Sequence, residues 1–147
     1  MTTAAAWGYF DTSVLVKRYV RENGSVRARS LIKRHRFLSS AIAPLEAVSA
    51  LTRRRVTGDL AEKDFPVILY RMREDRMYWE LIEVTPLVLD RAEELIQETT
   101  LRALDALHIA SALIFQKASG IRVPFITGDV QQRDAARQLK MDVVWVH

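Results

Sequence analysis

The sequence contains no cysteine, which rules out disulfides and thiolate metal sites, so any metal must be held by oxygen or imidazole ligands. Histidine is scarce too. His35, His108 and His147 are too scattered along the chain to suggest a zinc site. No apolar run approaches the length of a membrane span, and the start, MTTAAAWGYFD, lacks a basic region followed by an apolar stretch. No membrane association and no secretory signal are therefore expected, and a cytoplasmic location is the default. There is also no internal repeat, linker or low-complexity segment.

What is present is the composition of an ordinary globular chain: 147 residues, 49% hydrophobic and 27% charged. That length is most simply one domain, residues 1–147, with a real core. The net charge of +4 conceals an asymmetry. Residues 1–58 carry eleven Lys and Arg against three acids, a balance of +8, and residues 59–147 carry eleven against fifteen, a balance of −4. A basic half suits a polyanionic partner, although arginine-rich solvated helix faces give the same signal.

Apolar runs separated by helical patterns organise the chain. Trp7 to Phe10 reads as a strand ending at Asp11, followed by a helix over TSVLVKRYV. Asn23 and Gly24 break the chain before a basic amphipathic helix, Ser25 to Arg36, and a second strand, Phe37 to Ile42. Pro44 opens a helix that Gly58 stops, with Glu46 in its first turn. Asp59 and Glu62 have the spacing of a capping box for a helix whose apolar positions recur from Phe65 to Trp79, and Pro66 either kinks that helix or restarts it after Asp64. Glu80 to Val84 is a third strand, and Thr85 and Pro86 open a helix to about Gln97. VPFIT is a fourth strand ending at Gly128 and Asp129, VQQRDAARQLK is helical, and DVVWV is a last strand. Strands alternating with helices predict an α/β three-layer sandwich, a mostly parallel sheet with helices on both faces.

The stretch Leu101 to Leu113, LRALDALHIASAL, stands out. From Ala103 to Phe115 only Asp105, His108 and Ser111 are neither apolar nor small, which reads as a mostly buried helix. A carboxylate near the start of such a helix needs a partner: a cation, several hydrogen bonds or a shifted pKa. Asp105 could simply be a first-turn acid paired with Arg102. His108 is expected to be a packed or hydrogen-bonded core histidine rather than a general base.

Asp105 has company. In an open parallel sheet ligands bind beyond the carboxyl ends of the strands, and Asp11, Glu46 and Asp129 all follow strand ends. Each alone could be a helix cap or a dipole acid. Four carboxylates gathered there would repel, each pair at ~4 Å costing on the order of 4 kcal/mol at a surface-like dielectric. A hard divalent cation, Mg²⁺ or Mn²⁺, removes that penalty, and such ions usually act on phosphates.

The pieces YFDTSVLVKRYV, APLEAVSAL, LRALDALHIASAL and FITGDVQQRDAARQLKMDVVWV, in that order, resemble the PIN-domain ribonucleases, and among them the VapC-type toxins of toxin–antitoxin pairs. The likeness covers nearly the whole chain. It implies that Asp11, Glu46, Asp105 and Asp129 are catalytic metal-binding acids, with supporting hydroxyls at Ser13 and Thr127. It further implies an RNA substrate, a cognate antitoxin and a homodimer. Two departures stand beside it. Lys140 and Met141 occupy the last turn, where such sequences often have Gly; the acid after Thr127 is followed by Gln131 and Gln132, and the only later acid nearby, Asp134, lies in the following helix, so no fifth ligand is assigned.

The reading is a Mg²⁺- or Mn²⁺-dependent endoribonuclease hydrolysing RNA phosphodiester bonds. Its rivals are a receiver-like phosphoacceptor domain, for which VPFITGD and DVVWVH do not supply the required lysine, and a PIN-like domain that binds RNA without cutting it. Arg53, Arg54 and Arg55, like Lys33, Arg34 and Arg36, read first as solvated helix ends and second as RNA contacts. The aromatic and Met positions over residues 65–79 read as core or dimer surface.

Overall fold

The computed structural model describes residues 5–147. Along the chain it forms β1 (Trp7–Phe10), α1 (Thr12–Tyr19), α2 (Ser25–Arg34), β2 (Arg36–Ser40), α3 (Ala43–Val56) and α4 (Phe65–Asp75). After a single 3₁₀ turn over Arg76–Tyr78 come β3 (Glu80–Ile82), α5 (Pro86–Glu98), α6 (Ala103–Ser119), β4 (Phe125–Thr127), α7 (Val130–Gln138) and β5 (Val143–Trp145). The strands form one sheet in the order β3-β2-β1-β4-β5, and every pairing is parallel.

The two-residue period of a strand sends neighbouring side chains to opposite faces, and here both faces are buried. Tyr9, Leu38 and Phe125 face α5, α6 and α7 in one apolar cluster. Phe10, Phe37 and Ile126 face α1 through α4 in the other. The register aligns these sets, with Tyr9 opposite Leu38 and Phe125, and Phe10 opposite Ile126. Among the described residues no helix is long and apolar enough to cross a membrane.

The chain first builds the sheet outward from β1 through β2 to β3, then returns to add β4 on the other side of β1. The order therefore reverses between β1 and β4, the position where open α/β sheets leave a crevice at the strands' carboxyl ends. Asp11 and Gly128 directly follow those two strands.

Some local expectations fail for identifiable reasons. Asp59 and Glu62 do not cap a helix: Gly58 turns the chain at φ 86°, the Leu60 amide donates back to the Arg54 carbonyl, and Leu60 is buried. The helix instead starts at Phe65 with Pro66 in its first turn, so Pro66 restarts it rather than kinking one. It ends at Asp75, and Trp79 is extended, its ring lying 5.0 Å from that of Phe37. β2 stops at Ser40, whose hydroxyl accepts from the Ile42 amide as the chain turns into α3. The last turn lacks glycine, and Lys140 itself takes the left-handed conformation at φ 58°, a geometry costing an ordinary residue roughly 1 kcal/mol or more.

Candidate active site

Asp11 is fixed by its position between β1 and α1. It caps α1, with Oδ1 accepting from the Val14 amide at 3.2 Å and the Ser13 hydroxyl at 2.6 Å. Its Oδ2 accepts from the Thr127 hydroxyl at 2.9 Å. The carboxyl is 1% exposed. Burial pushes its pKa above the ordinary carboxylate value, against the field of His108 and the bonds from Ser13, Thr127 and Val14.

Ser13 and Thr127, expected as supporting hydroxyls, tie β1 to β4. Ser13 Oγ also accepts from the Gly128 amide at 3.0 Å, and Thr127 Oγ1 from the Asp129 amide at 3.0 Å. Gly128 is required by this approach, because a Cβ there would lie 2.9 Å from both the Val146 carbonyl oxygen and Lys17 Cε. Asp129 then caps α7, its Oδ1 accepting from the Gln132 amide at 2.9 Å.

Gln132 links the last two acids. Its Nε2 donates to Asp105 Oδ1 at 2.8 Å, whereas its buried Oε1 has no hydrogen-bond partner among the described residues. Asp105 lies in the first turn of α6 as expected, but no ion pair joins it to Arg102, which is exposed. Burial raises the Asp105 pKa above the usual range; the Gln132 bond opposes the shift, and the Asp129 and Glu46 charges add to it.

Glu46, in the first turn of α3, faces inward. Its Oε1 accepts from the Thr12 hydroxyl at 2.8 Å and lies 2.6 Å from His108 Nε2. Burial would raise its pKa, but the His108 and Thr12 bonds prevail and hold it below the ordinary value. His108 is 1% exposed, and its Nδ1 lies 2.8 Å from the Tyr9 hydroxyl. His108, Thr12, Tyr9 and Gln132 are thus parts of the arrangement that the sequence did not single out as site residues. For His108 a signal existed, since it stands one helical turn beyond Asp105 on the same face.

One hydrogen-bonded network therefore runs from Asp11 through Thr127 to Asp129, Gln132 and Asp105, and α6 carries it on to His108 and Glu46. Apart from His108, no cationic side chain lies within 4.0 Å of any of the four acids among the described residues. Nor do three or more His, Asp or Glu groups there close into a ready-made ion cage. Glu46 Oε2, Asp105 Oδ2 and Asp129 Oδ2 accept no hydrogen bond from the described residues. An all-oxygen, net-anionic donor set with free oxygens fits a hard divalent cation.

Beside Glu46 a cavity of about 520 Å³ opens between α1 and α3, walled by Thr12, Ser13, Lys17, Glu46, Arg53 and Leu104 among others. The three consecutive arginines separate here. Arg54 is bound to Glu22 at 2.7 Å and Arg55 lies over the Phe65 ring at 4.2 Å. Arg53 makes only a 3.3 Å contact to the Ser49 hydroxyl, and both it and Arg54 line the cavity.

The PIN domain family model matches residues 8–138, and the chain belongs to that family. No curated protein matches the chain significantly. Among solved structures, a chain of a toxin-antitoxin complex from Klebsiella pneumoniae superposes with a TM-score of 0.68 at 18% sequence identity, covering 95% of this chain and 98% of that one. That likeness is one of fold.

Proposed function

We propose that this protein is a metal-dependent endoribonuclease and the VapC-type toxin of a toxin–antitoxin pair, with Asp11, Glu46, Asp105 and Asp129 as its catalytic acids. The observation carrying this reading is that Asp11, Glu46, Asp105 and Asp129 come from four separate segments and are linked through Thr127, Gln132 and His108, with no Lys or Arg within 4.0 Å of them among the described residues. Membership of the PIN family supports the nuclease class. The similar fold in the Klebsiella pneumoniae toxin-antitoxin complex supports an antitoxin partner, and the homodimer rests on the VapC likeness.

Mg²⁺ or Mn²⁺ held by the free oxygens of Glu46, Asp105 and Asp129, with Asp11, would supply charge neutralisation and a water made acidic enough to attack phosphorus. The chain's own groups orient the reactants. Hydroxyls, the Gln132 amide and the His108 imidazole hold the carboxylates in place. Arg53, which lines the cavity beside Glu46, suits the phosphates of a single-stranded or looped RNA. A receiver-like phosphoacceptor is disfavoured: Asp11 does end the middle strand, but VPFITGD and DVVWVH supply no lysine beside it.

The test is cleavage of end-labelled RNA by purified protein with Mn²⁺ or Mg²⁺ and with EDTA. Cleavage that requires metal and disappears in Asp11→Asn and Glu46→Gln supports the reading. Undiminished cleavage in chelator, with no retained metal, contradicts the mechanism, and RNA binding without cleavage returns the non-catalytic alternative.

A further inference from the structure

The buried histidine on α6 has no role in the reading above, yet it makes the closest contact to any of the four acids apart from the equally short Ser13 bond to Asp11. We propose that His108, backed by the buried Tyr9 hydroxyl, is a positioning residue that clamps Glu46 through Oε1 and leaves Oε2 as the oxygen presented to the site. This rests on the nuclease reading of Glu46.

Geometry and donor chemistry fix the direction of each bond. A carboxylate only accepts, so the nitrogen 2.6 Å from Glu46 Oε1 must carry a hydrogen. That holds for both the neutral and the cationic ring, so the clamp does not depend on the charge of His108. In the neutral ring Nδ1 has no hydrogen and accepts from the Tyr9 hydroxyl at 2.8 Å. The two serine hydroxyls lying against Tyr9 do not compete as donors, because Ser111 donates to the Leu107 carbonyl and Ser39 to the Phe10 carbonyl. Burial keeps the Tyr9 phenol protonated, pushing its pKa well above the ordinary value.

Two further features separate this from incidental packing. His108 is 1% exposed and Tyr9 0%, so neither side chain has water as an alternative partner, and an orphaned donor there would be costly. The Thr12 hydroxyl donates to the same Oε1 at 2.8 Å and lies 3.1 Å from His108 Nε2. Both donors therefore converge on one carboxylate oxygen and none on the other. Outer-shell partners of this kind fix the orientation of a ligating carboxylate.

The experiment compares His108→Leu, His108→Gln and Tyr9→Phe with the unmodified protein. Glutamine can place an Nε2 hydrogen near the position of the imidazole Nε2–H, whereas leucine fills the volume without a donor. Mn²⁺ affinity by calorimetry and kcat and KM on labelled RNA are measured at fixed pH. His108→Leu is expected to lose about 10- to 100-fold in Mn²⁺ affinity and to lower kcat with KM little changed. His108→Gln recovers a large part of both, and Tyr9→Phe gives a smaller loss of the same kind. A merely structural histidine predicts lowered melting temperature without selective loss of metal affinity, and no recovery with Gln; that pattern overturns the proposal. If His108→Leu does not fold, Tyr9→Phe still decides, because wild-type metal affinity and kcat in that variant would remove the clamp.

A second readout keeps this distinct from the nuclease reading. The His108 Nε2–H proton should be visible by NMR, shifted downfield and slow to exchange, and Glu46→Gln should move it upfield. If the protein neither binds Mn²⁺ nor cuts RNA, the nuclease reading fails on its own. The proton signal then still decides the clamp: its absence, or its indifference to Glu46→Gln, overturns the proposal.

Discussion

Asp11 and Glu46 are each held from two or three sides, whereas Asp105 and Asp129 each accept a single hydrogen bond, both from Gln132. Asp11 is 1% exposed and braced by Ser13, Thr127 and the Val14 amide, and half-buried Glu46 is braced by Thr12 and His108. The second pair, also half-buried and at helix starts, is held through Gln132 alone. The difference separates two tasks within one acidic edge. Asp11 is part of the architecture joining β1 to β4, while Asp105 and Asp129 rest on Gln132.

Asp11→Ala should give the largest effect, because it strikes both tasks. It removes the cap of α1 and leaves the Thr127 and Ser13 hydroxyls without their acceptor. A stability loss of about 1 to 3 kcal/mol is expected, together with a fall in cleavage on the order of 10³-fold. Urea unfolding and initial rates measure the two; a stable variant that cleaves normally would erase the distinction between the halves.

Gln132→Leu probes the looser half. It breaks the bond to Asp105 but also removes a buried carbonyl oxygen with no partner, so stability should change by less than about 1 kcal/mol. Cleavage should fall roughly tenfold, as for loss of an outer-shell partner. A large destabilisation with unchanged rate would show that Gln132 is only a packing residue.

The arginines offer a smaller contrast. Arg53→Gln should weaken RNA binding and lower its salt slope by about 1. Arg54→Gln and Arg55→Gln should do so less, since those side chains are engaged by Glu22 and Phe65. Filter binding across a salt series reads this, and equal effects from all three would return them to a general electrostatic role.

The pH dependence of the metal-free protein should carry opposite contributions. Asp11 and Asp105 have folded pKa values raised above the ordinary 3.8, so the native state takes up protons more readily than the unfolded one. Their stabilising contribution is present below that ordinary value and is lost as pH rises through the raised folded values. Glu46, lowered from 4.5, contributes above its ordinary value and loses that contribution as pH falls through its lowered one. Thermal melts in EDTA from neutral to acidic pH should show Asp105→Asn flattening the acid-side gain and Glu46→Gln enhancing it.

Much of this arrangement is legible in the residues. Strand alternation is hidden where both faces are apolar, but WGYF, VPFIT and DVVWV between helical patterns suffice for a parallel sheet, and strand-end positions then bring Asp11, Glu46 and Asp129 together. The partners are less legible. Asp105 has Arg102 nearby in sequence, yet its bond comes from Gln132, because the turn after β4 lays α7 beside α6, a long-range consequence of topology. His108 reads as core and is buried; that its Nε2 meets Glu46 depends on where the fold places α6 relative to the start of α3, which no local pattern carries. The Asp59 and Glu62 spacing fails because Leu60 between them is drawn into the core.

The central claim is that the four acids form a metal-binding catalytic set rather than four separate caps, and Asp105→Asn tests it most directly. Melting curves of the parent and variant, each in EDTA and in Mn²⁺, are compared alongside RNA cleavage. The account predicts that the metal-free variant is equally or more stable, because a repelling charge is gone while the oxygen facing Gln132 remains. Its stabilisation by Mn²⁺ should shrink, since a ligand bound only by the folded state stabilises it by RT ln(1 + [L]/Kd), and cleavage should fall by orders of magnitude. A variant that is destabilised without metal, keeps its Mn²⁺ shift and still cleaves RNA would contradict the account and leave Asp105 a structural residue.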